Sequence, residues 1–360
     1  MDDAEREARR LERVEWATAT LSRRDDVMED LVNRAHDTVT WLAVRRQANS
    51  YLRHLATWQQ GTWFDGIRPA MDGHQARLVQ WTAESEAALA GTDPEAAIEA
   101  ESRLGVRLAI FGKGGAGKTV ICSTLARLLG RRGRSVFVAD LDVNPGLSYS
   151  IGLDGASISL PDDAVEQRAG AAYGWQLRHD LLPRDVVSRY TVPAPDGVMV
   201  TSLGKIGGED KSDAKRTVVA VVEVLLGFGE PGWDVIADLE AGPTTPFERY
   251  HAFADHVVVV IGPAWRSAMT ARRLLPMVGE GRTTTIVYNR FRDEPDHPGL
   301  APELRIPFDP DVAEAERQGL SPLDACPDSP TIAAIRELAE MFVPSVPSIA
   351  SASSAAVRTA

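Results

Sequence analysis

The chain has 360 residues, room for two or three domains and at least one large core, and its 44% apolar and 25% charged residues fit a soluble globular protein. A net charge of -12, spread along the chain, excludes a basic block that would hold a nucleic-acid backbone, although an arginine patch assembled by folding stays open. Two cysteines exclude a disulfide framework or a cysteine zinc site, no apolar run is long enough to span a bilayer, and the charged start "MDDAEREARR" lacks a signal-peptide core, so a cytoplasmic location is expected.

Residues 1–104 read as helical. They are rich in Ala, Arg, Glu and Leu, and apolar residues recur at helical spacing: Val27 and Leu31, Val39 and Leu42, Tyr51, Leu55 and Trp58. Pro94 sits where a last short helix opens. Five of the eight tryptophans fall here, either as the core of a bundle or as a partner-binding face. The expectation is an all-α N-terminal domain, separate, packed near the switch loops of the domain that follows and carrying partner specificity. Trp63 and Phe64, in the loop-like "GTWFDG", are its first candidate anchors.

From residue 105 the pattern changes to short β-rich runs alternating with helical stretches: "VRLAIF", "SVFVAD", "GVMVTSL", "WDVIADLE", "HVVVVIG", "TTTIVYN". Near-continuous apolar strands separated by helices predict an α/β domain over 105–345, with a mostly parallel sheet covered by helices on both faces. Residues 346–360, rich in Ser and Ala, read as a flexible tail.

The first β-rich run leads into Gly112-Lys113-Gly114-Gly115-Ala116-Gly117-Lys118-Thr119, then Val120 and an apolar helical stretch. This is the G-x-x-x-x-G-K-[ST] P-loop in its required strand–loop–helix context, whose glycines let backbone N–H groups face phosphate. Lys118 is assigned to the β- and γ-phosphates and Thr119 to Mg²⁺. Lys113 is the additional feature, one of only five lysines beside 34 arginines.

A K-G-G-x-G-K-T loop resembles the deviant P-loop of the MinD/ParA superfamily, which includes the nitrogenase iron protein and the CooC-type ATPases that mature nickel carbon monoxide dehydrogenase. The resemblance spans roughly residues 106–343 and implies a P-loop NTPase fold, ATP and Mg²⁺ as ligands, and a homodimer formed with ATP. It implies that Lys113 reaches the nucleotide of the other subunit, making Lys113, Lys118 and Asp142 the expected catalytic residues. "SVFVADLDVNPGLSYSIG" is similar to the family's first switch: Asp142 would position attacking water and Asp140 would support Mg²⁺ indirectly. The usual D-P is D-V here, with the proline displaced to Pro145. "WDVIADLEAGPTTPFERY" resembles the second switch, with Asp238 in the Mg²⁺ shell and Gly242 moving with the γ-phosphate; its D-x-E-A-G form is nearest the CooC-type branch. "TTTIVYNRF" resembles the strand that reads adenine, through Asn289 and Arg290, and "IPFDPDVAEAERQG" resembles the base-covering loop, with Pro307 and Asp309 beside the base.

One departure stands out. CooC-type proteins carry a metal-binding Cys-x-Cys pair between the switches, whereas "SLGKIGGEDKSDAKRT" has no cysteine, and His179, His251, His256 and His297 make no recognisable ligand set. The expected function is a nucleotide-dependent dimerising ATPase, hydrolysing ATP to ADP and phosphate, that couples this cycle to a partner protein through residues 1–104, with assembly or maturation as one version. The alternatives are a ParA/MinD-like positioning ATPase, for which "WRSAMTARR" could supply basic surface, and a non-hydrolysing nucleotide-bound scaffold.

Overall fold

Helical periodicity in the first hundred residues becomes four helices: α1 Asp3–Asn33, α2 Thr38–Trp58, α3 Phe64–Leu89 and α4 Pro94–Arg103. Their ends follow local chemistry. Asp2 and Glu5 form a reciprocal capping box on α1, and Asp93 accepts from Glu95 N–H ahead of Pro94 at the start of α4. The computed structural model describes residues 2–58, 64–142, 146–203, 211–239, 250–278 and 282–342. Trp63, Pro145, Gly242 and the 346–360 tail lie outside the described residues.

The remainder alternates as its apolar runs predict. β1 Arg107–Gly112, α5 Lys118–Arg131, β2 Ser135–Leu141 and α6 Leu147–Ser150 come first. β3 Val165–Gln167, β4 Trp175–Leu177, α7 Pro183–Tyr190, β5 Val192–Pro193 and β6 Val198–Ser202 follow, then α8 Lys211–Gly227 and β7 Trp233–Leu239. The chain closes with β8 His256–Ile261, α9 Trp265–Val278, β9 Thr283–Phe291, β10 Leu304–Pro307, α10 Pro310–Arg317, α11 Pro322–Ala325 and α12 Pro330–Phe342.

Eight strands form one sheet in the order β10-β9-β8-β1-β7-β2-β6-β5. All neighbours are parallel except β5, which runs antiparallel on β6. Side chains alternate across it. Leu108, Ile110, Val136, Val138, Val258 and Val260 pack with α5 and α12 on one face. Ala109, Phe111, Phe137, Ala139, Val257 and Val259 pack with α8 and α9 on the other. This is the doubly covered, mostly parallel α/β sheet that the apolar runs predict, preceded by helices.

Apolar residues of α1 and α2, among them Met28, Leu31, Leu42, Val44 and Tyr51, belong to the second of these cores. A smaller cluster of Ala17, Leu21, Leu55, Ile67 and Met71, with Trp16 and Trp58 against it, is the helices' own. Trp81 is buried. Polar contacts set the position of α2. Arg46 donates to the Gly105 and Leu104 carbonyls (2.7 and 3.2 Å), Gln47 to Leu226 (2.6 Å) and Ser50 to Ala252 (3.3 Å), while Arg53 pairs with Asp255 at 3.1 Å. These partners border the amino ends of β1, β7 and β8. The expectation that the helices pack beside the nucleotide-responsive loops is therefore corrected for α2: it caps the end of the sheet opposite the glycine loop, because its arginines and amides find the free carbonyls there.

Candidate functional site

The glycine loop joins the carboxyl end of β1 to α5. Gly117 precedes α5 with φ +86°, and a Cβ on it would lie 2.3 Å from Asn289 Nδ2, so backbone conformation and space both require glycine. No side chain caps α5, which leaves its first N–H groups for an external acceptor. Lys118, on the first turn, is buried.

Parallel pairing brings two carboxylates together. Asp140 of β2 stands in register with Asp238 of β7. Thr119 Oγ1 donates to Asp238 Oδ2 at 2.6 Å, while the buried Asp238 Oδ1 has no hydrogen-bond partner among the described residues. Asp140 is fully buried; its Oδ1 accepts from Asp142 N–H (3.0 Å) and its Oδ2 from Leu147 N–H (3.1 Å). Burial pushes the Asp140 carboxyl up, reinforced by the charge of Asp238. Burial pushes Asp238 up as well, against the opposing pull of Lys118 and the Thr119 hydroxyl. A hydroxyl, an unpartnered buried carboxylate oxygen and a nearby lysine fit a hard divalent cation carrying water and phosphate oxygens. Among the described residues no three His, Cys, Asp or Glu side chains group as a metal site. A magnesium ion held partly by phosphate and water does not need such a group.

Asn289, Arg290, Pro307 and Asp309, expected beside the base, line one cleft together with Gly117, Val120, Phe308 and Glu316. Asn289 is buried and donates through Nδ2 to the Ala116 carbonyl at 2.7 Å, so it braces the glycine loop. Arg290 adopts φ +64°, uncommon for a non-glycine residue, and donates to the Gly115 carbonyl at 3.1 Å and to Glu316 at 3.4 Å. Asp309 accepts from Asp311 N–H (2.8 Å) as the cap of α10 and from Ser329 Oγ (2.5 Å).

A second cavity of about 370 Å³ opens between the loop and the start of α9, lined by Lys113, Gly114, Ser267, Arg290, Arg292 and Phe308 among others. The Arg292 guanidinium lies 4.1 Å from the Phe308 ring centre. Sequence reasoning passed over Arg292, Phe308 and Glu316. Arg292, just past the end of β9, was findable only as a second arginine close to Arg290, and Phe308 as the neighbour of Pro307. The histidines are dispersed. His179 contacts Glu166 (2.9 Å), His297 contacts the Gly262 carbonyl (3.3 Å), and His251 and His256 lie against the rings of Phe111 and Phe342.

Residues 108–323 match the family described as the CobQ/CobB/MinD/ParA nucleotide binding domain. The chain is 27% identical over 234 residues to an uncharacterised ATP-binding protein of Methanocaldococcus jannaschii, covering 59% of this chain and 90% of that one. It is 27% identical over 241 residues to the carbon monoxide dehydrogenase accessory protein CooC of Rhodospirillum rubrum, covering 62% and 91%. In three dimensions it is similar to the cell division ATPase MinD of Pyrococcus furiosus, with TM-score 0.51, 22% identity, and coverage of 66% of this chain and 97% of that one. The septum site-determining protein MinD of Pyrococcus horikoshii, solved with Mg-ADP, gives TM-score 0.50 and 20% identity, with coverage of 66% and 95%. At these identities the structural likeness speaks for the fold.

Proposed function

The chain belongs to the CobQ/CobB/MinD/ParA nucleotide-binding domain family, and on that premise we propose that it is a Mg²⁺-dependent ATPase switch, which pairs with a second copy when it holds ATP and couples the cycle to a partner protein through residues 1–104. The observation that carries this reading is the Thr119–Asp238 hydrogen bond at the mouth of the glycine loop, beside an unpartnered Asp238 oxygen. A structural threonine–aspartate pair does not need that second oxygen left bare in a buried site, whereas a cation site does.

In this reading the loop amides and the α5 N-terminus bind the phosphate oxygens, and Lys118 supplies the local counter-charge. Thr119 and Asp238 hold the magnesium, which when bound neutralises charge on the transferring phosphoryl group. Asp142 orients the attacking water, and Lys113, from the other copy, adds positive charge at the reacting phosphate. Asn289 commits one N–H of its side-chain amide to the Ala116 carbonyl, which leaves its other N–H and its Oδ1 for the edge of a purine. The similarity to a carbon monoxide dehydrogenase accessory protein favours a role in assembly or maturation of another protein. Metal delivery through a Cys-x-Cys pair is not included, because residues 202–217 hold no cysteine.

The test is calorimetric titration of ATP and GTP with and without Mg²⁺, followed by phosphate release. Tight ATP binding that strengthens with Mg²⁺, weaker GTP binding and measurable release of phosphate are expected. Binding that ignores Mg²⁺, or none at all, would overturn the reading; Mg²⁺-dependent binding without turnover would leave the scaffold alternative in its place.

A further inference from the structure

We propose that Asp140 is a positioning residue whose carboxylate fixes the backbone on both sides of the first-switch segment and so sets where Asp142 stands. The inference rests on the reading above that Asp142 orients water.

The geometry is a two-point clamp. Asp140 lies inside the sheet, paired with Asp238 on one side and Ser202 on the other, and its own carbonyl accepts from Leu203 N–H at 3.0 Å. Its backbone therefore has little freedom. From this fixed point one carboxylate oxygen accepts from Asp142 N–H and the other from Leu147 N–H, at 3.0 and 3.1 Å. The bonded residues bracket positions 143–145. Leu147 is fully buried in the core beneath α5, so the second anchor is itself held. Without Asp140 the tie between Asp142 N–H and the sheet interior is lost.

The burial supports the same conclusion. A carboxylate with no exposed surface, facing a second carboxylate across a strand pair, is expensive to keep. A packing role could be filled by Leu or Val, as at Val136 and Val138 on the same strand. Here the two N–H donors meet separate oxygens of one side chain, and among side chains of this length only Asp supplies two acceptor oxygens.

Asp140→Asn is the discriminating variant. It keeps shape and places an amide where the second acceptor was, so one anchor is lost and two donors face each other. Single-turnover hydrolysis should fall on the order of a hundredfold, the penalty typical of a displaced catalytic group, while Mg²⁺-ATP affinity changes by less than about threefold. Turnover at the parent rate, or a loss that excess Mg²⁺ restores, would overturn the clamp. Amide hydrogen exchange in the unsubstituted, nucleotide-free chain tests it independently of how the variant folds. Asp142 and Leu147 amides should be protected, and exchange of either at the free-peptide rate would overturn the proposal. If the parent chain shows no ATP turnover, the proposed function fails, and the exchange measurement still decides whether the clamp exists.

Discussion

The ion pair between Arg24 of α1 and Glu223 of α8 joins the N-terminal helices to the sheet-covering layer, and its removal can be given a magnitude. The guanidinium is 1% exposed and the carboxylate 11%, with contacts of 2.7 and 3.4 Å. The Arg24 guanidinium also lies 5.4 Å from the ring centre of Tyr51 and 5.0 Å from that of Trp58. Arg24→Ala strands Glu223 in a nearly dry site, a change that costs about 3–5 kcal/mol. Lost ring contacts add about 1 kcal/mol. The charge of Arg23 also acts on Glu223 and recovers part of this, so the net expectation is about 4 kcal/mol. That is a large fraction of the roughly 5–15 kcal/mol that holds a domain folded. The companion variant Arg24→Met/Glu223→Leu removes both charges while keeping volume, and should return to within about 1.5 kcal/mol of the parent. Urea unfolding followed by far-ultraviolet dichroism measures both. A loss below about 1 kcal/mol for Arg24→Ala, or a double variant no better than the single one, would refute the view that this is a buried, mutually dependent pair.

Four further outcomes are expected. Lys118→Ala should abolish ATP binding, since the phosphates lose their buried counter-charge; calorimetry with unchanged affinity would contradict the assignment. Lys113→Ala should keep binding by the single copy but lose ATP-dependent pairing, as read by analytical ultracentrifugation in an Asp142→Ala background; a stable ATP dimer with normal affinity would make Lys113 an ordinary loop lysine. Gly117→Ala should destabilise the loop by about 1–2 kcal/mol through its φ of +86° alone, with the 2.3 Å approach to Asn289 Nδ2 adding to that, and nucleotide affinity should fall with it; normal affinity would show that the loop can relax. The fourth concerns pH. Burial raises the carboxyls of both Asp140 and Asp238 above their ordinary value of 3.8. The folded chain then holds proton that the unfolded chain has shed, so this pair's contribution falls as pH rises above about 4. The nucleotide-free parent should lose thermal stability relative to Asp140→Asn across that window, and a pH-independent difference would sink the argument.

The glycine loop was legible because all its requirements are local: a strand, a glycine run, a lysine–threonine pair and a helix in one stretch of chain. The pairing of Asp140 with Asp238 was not, since 98 residues separate them and only the strand order, with β7 inserted between β1 and β2, makes them neighbours. Periodicity located α1 and α2, but it identifies an apolar face without saying what covers it. The polar side chains decide that. Arg24, Gln47 and Arg107 look like surface residues in sequence and are buried at the junction. Asn289, Arg290, Pro307 and Asp309 line one cleft, yet the Asn289 bond to Ala116 depends on a carbonyl direction that no residue pattern encodes.

The same junction determines how a partner held by the N-terminal helices could sense the nucleotide. Helix α2 touches Leu226 at the end of α8, Ala252 just before β8 and the carbonyls ahead of β1, all at the amino end of the sheet. The glycine loop lies at the carboxyl end, so among the described residues α2 reaches only the opposite end of the sheet. Among the described residues, the N-terminal helices hold α8, which Arg24 grips at Glu223, and the segment Tyr250–Phe253, whose Ala252 carbonyl accepts from Ser50; α1 also pairs Glu15 with Arg168 and Asp30 with Arg184. A partner's affinity can depend on ATP only if one of these elements takes different positions in the two states. Deleting residues 1–104 is a poor test of that. It would unpair Glu223, Glu230 and Asp255 from Arg24, Arg34 and Arg53, remove Gln47 from the buried Arg107, and bare the apolar residues that α1 and α2 cover. The charge-free pair Arg24→Met/Glu223→Leu keeps the layer folded while altering the link, so it can separate coupling from cover.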